Sequence, residues 1–199
     1  MKGSLIILSF FIVGITIGSI YGLPSGIPWN KVCTIALCAL MACVGFSLGN
    51  SQNIKSMIKS MNPALLLLPP VSILGTLAGC AAASFFTPFS LTENMAVGAG
   101  MGYYSLSAIM IGGVKGTELG TIALLANIMR ELTAILMAPL LMKYFGAPSA
   151  IAIGGATTAD TTLPVITNAC GREWTPTAIW NGIITDFSVP FMVGALCAL

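Results

Sequence analysis

Runs of about twenty apolar residues, the length that crosses a bilayer core, recur along most of this chain. They lie at residues 4–21, 31–49, 63–86, 95–113, 119–144, 148–169 and 176–199. A spanning backbone must satisfy its own hydrogen bonds. The pattern therefore predicts an all-α polytopic membrane protein with about seven hydrophobic segments, read as one transmembrane domain over 1–199. Charge agrees: 7% of the residues are charged, against about 25% in soluble domains.

What is missing narrows the function. The chain has no His, which excludes a Ser/His intramembrane protease and an HExxH zinc site. A net charge of +2 gives no footprint for nucleic acid. Cys33, Cys38 and Cys43 recur every five residues, about 500° of helix rotation. They spread around a helix and are read as packing residues, not metal ligands. No cofactor is expected. Met1-Lys2 before an apolar run has the look of a signal peptide, but no A-x-A site closes it, so it is read as an uncleaved first span. If all seven segments cross, Lys2, Lys55, Lys59, Lys115 and Arg172 share one side and Lys31 and Lys143 the other. That bias places the N-terminus in the cytoplasm.

Two segments are unlike lipid-facing helices. Residues 95–113 hold Gly98, Gly100, Gly102, Gly112 and Gly113 beside Tyr103, Tyr104, Ser105 and Ser107. Residues 148–169 hold Gly154-Gly-Ala-Thr-Thr-Ala-Asp-Thr-Thr-Leu-Pro164. Backbone interrupted this often survives at membrane depth only inside protein or beside a watery cavity. Both are read as broken or re-entrant helices, the kind that form transporter binding sites. Residues 63–86 carry Pro69-Pro70 and should start late or kink.

A shift of 55 residues superposes the later segments without a gap. Gly100 meets Gly155, Gly116 meets Gly171, Glu118 meets Glu173, and Glu131 meets Asp186. The units 94–144 and 149–199 each read as a breaker-rich segment, a short polar loop, and a helix with one central carboxylate.

Ionisable residues at bilayer depth cost about 2.5–3.5 kcal/mol each on insertion scales and mark function by default. Arg130 and Glu131 stand in the middle of 119–144. Residues three and four apart share a helix face, so Gly120, Ala123, Asn127, Glu131, Ala134 and Ala138 form one stripe. Its small residues admit a close neighbour, and Asn127 and Glu131 should face the bundle interior. Arg130, turned about 100° away, can neutralise Asp160 or Asp186, or snorkel. Asp160, among Thr158, Thr161 and Thr162, puts hydroxyls, free carbonyls and a carboxylate at one break. Carbonyls and carboxylates attract cations, half-helix N-termini anions, and an amino acid has both ends. Asp186 is either a buried acid near a kink or a coupling group. A desolvated carboxylate binds a proton more readily, so it can exchange a proton for a substrate cation.

Three motifs in order, Gly102-Tyr-Tyr-Ser-Leu-Ser-Ala108, Leu125-Ala-Asn-Ile-Met-Arg-Glu-Leu132 and the run 154–164, resemble the bacterial lysine exporter family (LysO-type). The likeness runs from about Lys31 on. It implies a multi-pass exporter of L-lysine, and of lysine analogues, in the bacterial inner membrane, exchanging lysine for protons. Glu131 looks like the family's embedded acidic residue. Typical members carry a further N-terminal membrane region with another acid. The expectation is a small, separately encoded membrane subunit that supplies it, or a homodimer. The candidate substrate- and proton-binding residues are Glu131, Asp160, Asn127, Asp186, Arg130, Tyr104, Ser105, Ser107, Thr161 and Thr162. Two alternatives stand beside this reading. One is a sodium- or proton-coupled carrier of another small organic solute. The other is an aspartyl protease using Asp160 and Asp186, although the Gly-x-Gly-Asp sequence of the intramembrane class is absent.

Overall fold

The computed structural model describes residues 63–199 and, before them, Val13, Thr16, Ile17, Gly18, Val32 and Ile35, which are helical. Apart from those positions, the expectations for 4–21, 31–49 and 50–62, and for Cys33, Cys38 and Cys43, lie outside the described residues. The chain divides into two compact units, Met1–Cys38 and Ala39–Leu199. All helices named below belong to the second.

A 3-10 turn, Pro63–Leu67, leads into α1, Leu68–Ala83. Pro69 and Pro70 fall in its first turn, where a missing N–H leaves no bond unmade. This is the late start that the prolines predict. Ser90 then caps α2, Leu91–Gly98. Its hydroxyl accepts from Glu93 N at 3.3 Å, and its own N–H donates to Glu93 Oε2 at 2.8 Å, a reciprocal capping box. The chain breaks at 99–103 and resumes as α3, Tyr104–Lys115. Gly116 turns it into the long α4, Thr117–Phe145. α5 is Ala147–Gly154. A 3-10 turn Gly155–Ala159 and an irregular stretch to Thr162 separate it from α6, Leu163–Cys170. Gly171 and a 3-10 turn, Arg172–Trp174, lead into α7, Thr175–Ala198.

The described residues are helical without strands. Among the described residues, three stretches are long and apolar enough to cross a membrane: Pro63–Phe86, Thr117–Phe145 and Arg172–Ala198. The two segments expected to break do so, each as a pair of short helices. Gly116 and Gly171 hold nearly the same backbone shape, φ 100° and 97° with ψ 158° at both.

Packing is inside-small and outside-large. Ala138, Ala147, Ala150, Ile151, Ile166, Cys170 and Ala178 form a buried cluster. Leu74, Leu125, Leu136, Phe187 and Phe191 point outward. Such a shell suits lipid, and small interior residues let helices approach closely. α3 and α4 approach closely: a Cβ on Gly120 would lie 2.7 Å from Gly112 Cα and 2.8 Å from Ala108 O.

Candidate functional site

The two breaks touch. Ala156 N donates to Met101 O at 2.9 Å, a backbone bond between residues of two different interrupted helices. The approach depends on glycine. Gly155 adopts φ +59°, and a Cβ there would strike Met101 O. On the other strand, a Cβ on Gly102 would come 2.9 Å from Thr157 Cγ2. Met101 itself sits at φ +50°, which an unbranched residue adopts at a cost of order 1–3 kcal/mol and only where its surroundings enforce it.

Asn127 serves the first break. Fully buried on α4, it accepts from Gly102 N at 2.8 Å and donates to Val97 O at 3.0 Å and Ala123 O at 2.8 Å. One amide thus replaces helical bonds that the break forfeits on both of its sides. Ser107, also buried, donates back to Tyr103 O at 2.9 Å.

The second break is served by hydroxyls and by Asn181. Thr157 Oγ1 donates to Gly154 O at 2.9 Å and Thr158 Oγ1 to Gly155 O at 2.8 Å. Thr157 and Thr162 share a hydroxyl contact of 3.2 Å. Asn181 Nδ2, from α7, donates to Gly155 O at 3.2 Å and Thr158 Oγ1 at 3.3 Å. Sequence reasoning did not single out Asn181 or Thr157, and named Gly155 only as the repeat counterpart of Gly100. Asn181 could have been noticed as a buried amide in an apolar span, like Asn127, but it stands one place off the 55-residue register.

Arg130 does what its position did not suggest. The expected partners were Asp160 or Asp186, or the membrane surface. Instead Nε donates to Ile153 O at 3.0 Å, Nη2 to Ala152 O at 3.3 Å and Nη1 to Thr76 Oγ1 at 3.1 Å. The guanidinium caps the C-terminal carbonyls of α5, where a cation meets the negative end of the helix dipole. It also lines a groove of about 500 Å³ between α1 and α5, with Gly75, Gly79, Cys80 and Ile153.

The carboxylates are linked to one another and to two tyrosines by electrostatic range. Tyr104 lies in electrostatic range of both Glu131 and Asp160. Asp186 lies in range of Asp160, and Tyr103 in range of Asp186. The stripe expected on α4 is buried at Gly120, Ala123, Asn127, Ala134 and Ala138, but Glu131 is only half-buried. Asp160, Thr161, Tyr104 and Ser105 are exposed, whereas Thr162 is buried. Structure therefore sorts the expected residues. Asn127, Arg130, Ser107 and Thr162 hold the crossing together. Glu131, Asp160, Asp186 and Tyr104 present polar groups beside it, and Ser105 and Thr161 flank them without described hydrogen bonds.

Comparison with known proteins gives one consistent result. The family described as "Lysine exporter LysO" matches residues 8–197. A Haemophilus influenzae protein named "Putative lysine exporter" is 31% identical over 188 residues, covering 94% of each chain. The Escherichia coli "Lysine exporter LysO" is 30% identical over 189 residues, covering 92% of this chain but 62% of that protein. No solved structure matches. With almost the whole chain matched, and with two interrupted helices crossing in the membrane region, the protein belongs to the lysine exporter LysO family.

Proposed function

We propose that this chain exports L-lysine across the bacterial inner membrane in exchange for protons, and accepts lysine analogues at the same site. The observation that carries the reading is the crossing of the two breaks with Glu131, Asp160 and Asp186 gathered around Tyr103 and Tyr104. Membership of the exporter family supplies the solute. Lysine brings ammonium groups, which carboxylates and unwound carbonyls attract. A carboxylate that releases its proton to bind an ammonium, and regains it on release, is the minimum for antiport. Glu131 takes that role, with Asp160 and Asp186 as further acceptors. Tyr104, Ser105 and Thr161 contact the solute. Asn127, Arg130, Ser107 and Thr162 act as positioning residues.

Glu131→Gln should abolish lysine efflux while the protein still inserts. Unchanged efflux would remove Glu131 from the mechanism. In proteoliposomes, an imposed pH gradient should drive lysine movement, and indifference to that gradient would sink the proton coupling. The reading includes a small separately encoded membrane subunit, or a second copy of this chain, that completes the pathway. Equal efflux with and without a co-expressed neighbouring membrane gene rejects that subunit. It also treats 94–144 and 149–199 as two copies of one unit. The matching order of short helix, break, short helix, glycine turn and long helix supports this.

A further inference from the structure

Among the described residues, two buried side-chain oxygens have no hydrogen-bond partner: Asn181 Oδ1 and Thr185 Oγ1. Both residues are 0% exposed. They stand one turn apart on α7 and so share a face. α7 packs against the 3-10 turn of the second break and against α2 and α3. The amide cannot simply be reversed, because Nδ2 donates to Gly155 O and Thr158 Oγ1. Its oxygen must point elsewhere. A buried polar atom left unpaired is costly, and two on one face call for a shared partner. Asn127, at the first break, leaves none of its polar atoms unpaired.

The surroundings select that partner. Asn181 Nδ2 donates to Thr158 Oγ1, two residues before Asp160, and Asp160 lies in electrostatic range of Asp186. Acceptor oxygens in a region whose ionisable side chains are carboxylates favour a cation. Interrupted transporter helices use such oxygens to coordinate small cations.

We propose that Asn181 Oδ1 and Thr185 Oγ1 bind a compact monovalent cation where α7 packs against the second break. An alkali ion and a primary ammonium group share this chemistry. The site goes beyond the function proposed above, since it requires neither lysine nor export.

The test unfolds the purified full-length protein thermally in NaCl, methylammonium chloride or choline chloride at equal ionic strength. Sodium or methylammonium raises Tm in a saturable way, whereas bulky choline does not. Thr185→Val removes the hydroxyl and keeps the shape. It weakens the response at least tenfold in apparent Kd, with a Tm in choline equal to the parent's or higher. Thr185→Ser restores the response. A response to sodium alone assigns an alkali ion, and a response to methylammonium alone assigns an ammonium group. No rise above choline in either salt overturns the proposal, as does a Thr185→Val response equal to the parent's. Ordered water would then satisfy the two oxygens. The readout needs neither lysine nor efflux, so a failed export role and a failed cation site are told apart.

Discussion

Asn127 and Arg130 differ in how replaceable they are. Asn127 makes three hydrogen bonds from a fully buried position. Asn127→Ala orphans Gly102 N and Val97 O inside the protein, at about 1–3 kcal/mol for each group. Its Tm should fall and lysine efflux should be lost together. An Asn127→Ala protein with parental stability would mean that the first break is held by something else. Arg130 works as a fork, and Lys cannot reproduce it. Arg130→Lys should lower stability by about 1.5–3 kcal/mol, although the charge is kept. If Arg130→Lys matched the parent, charge alone would be the relevant property. Arg130's target was out of reach of sequence reasoning. Ala152 and Ile153 carry no mark that says their carbonyls end a half-helix beside α4, and spacing along α4 shows direction but not what lies there.

The short helices show how much local chemistry fixes. Ser90 and Glu93 close the first turn of α2, and Glu93 lies outside the three candidate spans. The Ser90 backbone N–H, followed by its hydroxyl, holds the Glu93 carboxyl below its ordinary value of 4.5. A carboxyl depressed on folding stabilises above its unfolded pKa, and loses that effect as pH falls through the folded value. Hydrogen exchange at 91–94, corrected for its intrinsic pH dependence, should therefore rise below about pH 4.5. Glu93→Gln should remove that pH response. A flat profile in the parent would contradict the capping box. Between α3 and α4 the determinant is size. Gly120→Val places a branched side chain against Gly112 Cα and Ala108 O. It should separate the pair and reduce efflux, with loss of a Cys–Cys crosslink between the two helices as the check.

The described helices turn many small residues inward and large apolar ones outward, and the small stripe of α4 was readable in the sequence. The density of Gly, Thr and Pro located both breaks, and Pro69-Pro70 located the late start of α1. The stripe through Asn127 identified the buried face of α4, with Glu131 at its edge. What could not be read was the meeting of the breaks. It is made by backbone atoms at glycines, which mark a close approach without saying what is approached, and the second break is braced by Asn181, which falls one place off the repeat register. The same limit applies to Thr185, whose importance comes from an unpaired oxygen and not from its identity.

The bond from Ala156 to Met101 joins peptide groups 55 residues apart. Mechanically it is a pivot shared by two levers. If it persists while the protein works, α2 and α5 cannot tilt independently, and a tilt of one is handed to the other through a point that no side chain controls. Spin labels on α2 and α5 should then report displacements that rise and fall together across conditions. Uncorrelated displacements would show that the pivot opens during the cycle.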